Sequence, residues 1–193
     1  MNKPKYTPII FSTQMIEAII AGNKSKTRRL CKFGKAYNLF YDGRHEVESE
    51  KTIQNMLPCK YNIGDILWVR ETWQFVDFGP EPEDRGYVYK ASENGRAWQY
   101  NDLLWTWKPS LFMPKKACRL FLKVTDIKLE RLHDISAEDI KAEGVSYTID
   151  YYPNLIELWE NIWVEINGQD SWNENPYVWV ISFEVIEKPT DFI

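Results

Sequence analysis

Short apolar runs separated by polar, turn-rich stretches organise this chain, and several of its segments carry a helical rather than a strand period. "TPIIFS" at 7–12 reads as a first strand. "STQMIEAIIAG" follows, with Met15, Ile16, Ile19 and Ile20 on one helical face, Ser12 or Thr13 as N-cap and Gly22 just past the end. "IGDILWVRETWQF" at 63–75 opens on a Gly-Asp turn. Its alternation sets Leu67, Val69, Glu71 and Trp73 on one face and Ile66, Trp68, Arg70 and Thr72 on the other. "RGYVYKAS" at 85–92 is placed to form a hairpin with it across the acidic turn "GPEPED".

"CRLFLKVTDIKLERL" at 118–132 predicts the longest strand, with Leu120, Leu122 and Val124 on one face and Phe121 on the other. Ser136 and Asp139 resemble a capping box for a short helix that stops at Gly144. Residues 153–167 predict an amphipathic helix opened by Pro153, with Leu155, Leu158, Trp159, Ile162, Trp163 and Ile166 as its buried stripe. "YVWVISFEVIEK" at 177–188 closes the pattern as an apolar strand, with a loose tail from Pro189. Residues 33–62 lack periodicity and read as an inserted loop; 93–114 read as a Trp-rich insertion. No repeat or linker divides the chain. The expectation is a single domain over 1–193 of class α+β, with five or six strands curled into a barrel and two or three helices packed on it.

Composition narrows the classes. With 193 residues, 44% hydrophobic and 27% charged, the chain suits one well-buried core rather than disorder. No apolar run approaches the ~20 residues that span a bilayer, and the N-terminus does not read as a signal peptide. Cys31, Cys59 and Cys118 lie far apart, no C-x-x-C occurs, and His45 and His133 stand alone, so spacing assembles no metal site and nothing asks for a cofactor. Reduced thiols and a cytoplasmic location are the expectation. Nine Trp, eleven Tyr and nine Phe are many for this length. Core packing takes most of them, and a surface on which bases stack is the alternative use.

Charge is where the chemistry shows. The chain carries a net −4, yet "AGNKSKTRRLCKFGK" at 21–35 holds six Lys or Arg and no acid. A net acidic chain does not coat nucleic acid broadly, but a local basic cleft is compatible with it. Arg28 and Arg29 suit a phosphate or carboxylate clamp, or else pair with the acidic loop at 81–84 or another surface carboxylate. Glu71 shares a face with apolar residues and so needs a partner: Arg29 or Lys24 in a cleft, or water at a wet strand end. Arg70 beside it has the same ambiguity. Trp73, Trp105 and Trp107 are candidates for a stacking surface, and "KPSLFMPKK" with Lys108, Lys115 and Lys116 is a second basic patch.

"AGNKSKTRR" resembles the G-x-K-x-x-[ET]-x-R signature of the ASCH domain, a relative of the PUA-like RNA-binding fold, through Gly22, Lys24, Thr27 and Arg29. "IGDILWVRETW", "DISAEDIKAEG" and "NPYVWVISFEVI" follow in that family's order, and "WKPSLFMPKKACRLFLKVTDI" and "WNENPYVWVI" resemble its larger phage and prophage members. The resemblance runs from about 7 to 188 outside the 33–60 region and implies the PUA-like barrel. It also implies either binding of RNA or a nucleoside-like small molecule, or hydrolysis of an N-acylated nucleoside such as N4-acetylcytidine. For the second activity it implies Lys24, Thr27 and Glu143 as the catalytic set. Arg28, Arg29, Glu71, Arg70, Trp73 and Trp107 are the candidate ligand contacts. A phage assembly or host-interaction protein, with a protein partner, is the non-enzymatic alternative.

Overall fold

A computed structural model describes residues 4–31, 59–77, 79–81, 85–92, 106–145 and 154–192. The class is mixed α+β, as the pattern predicts. Among the described residues seven strands form a five-stranded sheet of order β1-β3-β6-β7-β2 and a separate two-stranded sheet of β4 and β5. The strands are β1 (Tyr6–Ile10), β2 (Lys26–Leu30), β3 (Ile66–Arg70), β4 (Trp73–Asp77), β5 (Arg85–Tyr89), β6 (Phe121–Arg131) and β7 (Tyr177–Ile186). Four helices lie among the described residues: α1 (Thr13–Ile20), α2 (Ala137–Ala142), α3 (Leu155–Asn167) and α4 (Gln169–Asn173). The chain packs as two compact units, one of Met1–Asn23, Gly64–Lys123 and Glu184–Ile193, the other of Lys24–Ile63 and Val124–Phe183.

In the first unit β1 runs parallel to β3, Tyr6 opposite Ile66 and Ile10 opposite Arg70, and β3 pairs antiparallel with the start of β6. Ser12 caps α1 by accepting from the Met15 N–H at 3.3 Å. Gly22, at φ 75°, takes the left-handed turn that ends the helix. Ile16 and Ile19 are buried as expected, whereas Ile20 is exposed.

The run at 63–75 is not one strand. It breaks at Glu71 and Thr72 because Glu71 leaves the ladder: its N–H donates to Met113 Sδ and its carboxylate is held by Arg119. Beyond the break Trp73 exchanges backbone hydrogen bonds with Lys108, and β4 pairs with β5 in the expected hairpin.

The tail is not loose. Phe192 is buried against Tyr6, Trp68 and Phe121, with ring centroids 5.2, 6.2 and 4.8 Å away, and Asp191 accepts from the Tyr6 hydroxyl. An aromatic near a chain end that removes this much apolar surface from water outweighs the entropy of ordering a few residues.

In the second unit β2 lies antiparallel to β7, with Thr27 opposite Ile181 and Arg29 opposite Trp179. Leu155, Trp159 and Trp163 of α3 pack with Val178 and Val180, with Leu158 and Ile162 partly buried beside them. Ile166, placed on this stripe by periodicity, is 56% exposed instead, in the last turn before the C-cap at Gly168. Asn154 caps α3, its side chain accepting from the Ile156 N–H; Pro153 lies outside the described residues. So do 33–58 of the first predicted insertion and 93–105 of the second, Trp105 included.

Candidate functional site

The basic segment enters β2 at Lys26, and what precedes that strand is fixed by α2. Lys24 and Glu143 form an isolated antiparallel bridge, and the Ser25 N–H donates to the Ala142 carbonyl at 2.8 Å. Glu143 is the C-cap of α2, immediately before Gly144 turns the chain at φ 84°. The end of a helix leaves carbonyls without intrahelical donors, and a cation is favoured there. Lys24 supplies both. Its Nζ donates to the Glu143 carbonyl at 2.8 Å and to Glu143 Oε2 at 2.6 Å.

This pair is out of water: Lys24 is 2% exposed and Glu143 5%. Burial lowers the Lys24 amine below the ordinary lysine range. Glu143 opposes that shift, and the charges of Arg29 and Arg28 reinforce it. Two of the three residues implied as a catalytic set therefore meet. Thr27 is buried in β2 opposite Ile181, and strand alternation puts it on the face of Arg29, not that of Arg28.

Arg28 is not an open anion clamp. Its guanidinium donates to Glu130 Oε1 from Nε at 3.0 Å and Nη2 at 2.5 Å, to Asp139 Oδ2 from Nη2 at 2.8 Å, and to Glu143 Oε1 from Nη1 at 3.1 Å. It also lies 6.0 Å from the Trp159 ring. Three carboxylates occupy its fork, none of them in the 81–84 loop. Burial alone would lower its pKa; Glu143 and Glu130 raise it instead. Lys26 pairs with Asp139, and though burial works to raise that carboxyl, the hydrogen bonds from Lys26 and Arg28 hold it below its usual range.

Arg29 faces the other way and has a cleft. About 280 Å³ of space is lined by Arg29, Leu30, Cys59, Lys60, Tyr61, Trp179 and Ile181. Among the described residues no carboxylate lines it, and two cations and two aromatic rings do. Burial lowers the Arg29 pKa and raises that of the Tyr61 phenol, while each group's charge favours the other's ionised form. Lys60 Nζ sits 5.2 Å over the Tyr61 ring.

The remaining candidates belong to the first unit. Glu71 is buried and its two oxygens accept from Arg119 Nε and Nη2 at 2.9 and 2.8 Å, so Arg119 is its answering cation, not Arg29 or Lys24. Arg70 stacks 5.6 Å over Trp68. Trp73 is buried rather than presented for stacking, with Tyr87 at 5.7 Å and the Lys108 ammonium at 5.1 Å from its ring. Trp107 is half-buried. Among the described residues no group of three His, Cys, Asp or Glu is placed to hold a metal ion, and no helix is long and apolar enough to cross a membrane.

Sequence reasoning missed Trp179, Tyr61, Glu130 and the ionic part of Asp139. Only the pairing of β2 with β7, some 150 residues apart, brings Trp179 beside Arg29, and no local spacing signals that register.

No protein-family model and no curated protein sequence matches the chain. Two solved structures are similar to it. One is an ASCH domain from Lactobacillus crispatus JV V101, at 10% identity and a TM-score of 0.46, covering 95% of this chain and 81% of that one. The other is protein EF3133 from Enterococcus faecalis V583, described by the family model DUF984, at 10% identity and a TM-score of 0.44, covering 98% and 84%.

Proposed function

We propose that the protein binds a small nucleoside- or nucleotide-like ligand in the cleft beside Arg29. The observation that carries this reading is the lining itself: Trp179 and Tyr61 for a flat ring, Leu30 and Ile181 as apolar floor, and Arg29 and Lys60 for an anionic group. At about 280 Å³ the space lies at the small end of the roughly 300–1,000 Å³ typical of ligand pockets. That suits one base-bearing unit rather than a long strand lying along the surface, so an RNA would be held by a single nucleotide. The ASCH resemblance of the basic segment agrees with this ligand class.

Calorimetric titration with nucleosides, their 5′-monophosphates and a short single-stranded RNA tests it. Binding of the monophosphates should weaken as salt rises, since charge is part of the contact. Arg29→Gln and Tyr61→Ala should each weaken it at least tenfold. Absence of binding by all three ligand types at low salt rejects the reading.

A second reading, hydrolysis of an N-acylated nucleoside, is favoured by the meeting of Lys24 and Glu143. In it Thr27 Oγ adds to the amide carbonyl carbon and its proton passes to a neutral Lys24 amine. The C–N bond then breaks, the departing amine taking a proton from the Lys24–Glu143 pair, and water hydrolyses the acyl-threonine ester. The lowered Lys24 pKa is what such a base requires. Release of acetate from N4-acetylcytidine is the assay, and none with pure protein rejects it.

A further inference from the structure

Lys24, Lys26 and Arg28 face Glu130, Asp139 and Glu143, and Arg28 alone touches all three acids. A guanidinium is a planar fork with fixed donor directions, unlike an ammonium, which rotates. Glu130 and Asp139 take the Nε–Nη2 edge, and that leaves Nη1 aimed at Glu143 Oε1, 3.1 Å away. The other carboxylate oxygen, Oε2, is the one that meets Lys24 Nζ. With both oxygens bound to different cations, the plane of the carboxylate is fixed and its charge is shared.

We propose that Arg28 is a positioning residue for Lys24: it holds Glu143 by one oxygen so that the other meets the amine, and it keeps Lys24 from having that carboxylate to itself. The role rests on the acid–base reading of the Lys24–Glu143 pair, but it concerns a residue outside the Gly22, Lys24, Thr27 and Arg29 pattern. Arg28 acts through Glu143 and lies on the face of β2 away from the cleft. Among the groups that act on Lys24 are Glu143 from the end of α2 and Arg28 and Arg29 from β2; Arg28 repels its charge while drawing on its counter-ion. Loss of Arg28 therefore strengthens the hold of Glu143 on the ammonium. Arg28→Lys keeps the charge but loses the fork, so the part of the shift it fails to return is what the hold on Glu143 contributes beyond charge.

The test is the Lys24 titration midpoint, read by NMR from side-chain ¹³C-labelled lysine in the full chain. Arg28→Met should raise the midpoint by on the order of one unit, and Arg28→Lys should return part of the shift. Glu130→Gln keeps Arg28 but removes one of its holders, leaving its charge freer to compete for Glu143. That variant should lower the midpoint, and it serves if Arg28→Met does not fold. An unchanged midpoint in folded Arg28→Met, or in Glu130→Gln where the former does not fold, overturns the proposal. Acetate release from N4-acetylcytidine is measured on the same samples. No turnover by wild type together with the predicted shifts rejects the acid–base reading and leaves Arg28 as the residue that positions the pair.

Discussion

The Lys24 ammonium lies 2.6 Å from Glu143 Oε2 and 2.8 Å from the same residue's carbonyl oxygen, with both side chains closed off from water. A charge pair taken this far from solvent is maintained only while both members are present, because a lone survivor keeps its desolvation cost with nothing to offset it.

Glu143→Gln should accordingly destabilise the fold by about 3–5 kcal/mol in urea unfolding, the cost typical of breaking a buried pair. Lys24→Met should cost a similar amount. The double variant should cost less than the sum of the singles, since each loss removes the other's stranded charge.

Acid should weaken the same cluster. Asp139 titrates below its usual range in the folded chain, so the stability it contributes is present above the ordinary carboxylate pKa and is lost as pH falls through the lower, folded value. Urea midpoints between pH 6 and pH 3 should fall less steeply in Asp139→Asn than in wild type; equal slopes would show that Asp139 contributes nothing to the acid limb.

Alkali acts through the buried thiols. Burial pushes Cys31 up to about 12 and Cys118 up to about 11, against an ordinary value of 9.0. A raised acid pKa means the folded chain holds its proton longer, so stability is full below pH 9.0 and falls as pH rises toward those values. Cys118→Ala should flatten this decline, whatever it costs in packing at neutral pH.

How much of this was readable in advance differs by element. Helix α1, with Ser12 as cap and Gly22 as stop, and the α3 stripe through Trp159 and Trp163 are local patterns, and the chain alone specifies them. The break between β3 and β4 was not legible, because alternation continues smoothly through Glu71; the partners that pull it out of the ladder, Arg119 and Met113, lie more than 40 residues away. Lys24 and Glu143 were paired through family resemblance, and no spacing rule joins residues 119 apart. For Arg28 the sequence leaves clamp and carboxylate pairing open, and the structure has it paired. Its charge is visible in the sequence, while the three carboxylates that consume it come from two distant elements.

The tail offers a plain check on packing. Phe192 is enclosed by Tyr6, Trp68 and Phe121, so Phe192→Ala should cost about 3–5 kcal/mol, as for other buried phenylalanines. A chain ending at Lys188 should lose at least as much. A loss under 1 kcal/mol would mean the tail does not hold this position in solution.

For the hydrolytic reading, Thr27→Ala and Lys24→Ala should each lower acetate release from N4-acetylcytidine by about 10²–10⁴-fold, and Thr27→Ser should keep part of the rate. Wild-type turnover in Thr27→Ala would remove the threonine from the mechanism.

Where a ligand sits is the most direct question. Methyl-labelled Leu and Ile report it by NMR as a nucleoside 5′-monophosphate is added. Leu30 and Ile181 line the cleft and should shift in a saturable way, while Leu111, exposed on the turn at Ser110–Phe112, should stay where it is. Arg29→Gln should abolish those shifts without moving the starting spectrum of the other methyls. Saturable shifts at Leu111 with none at Leu30 and Ile181 would contradict the account, as would no shift anywhere at millimolar ligand.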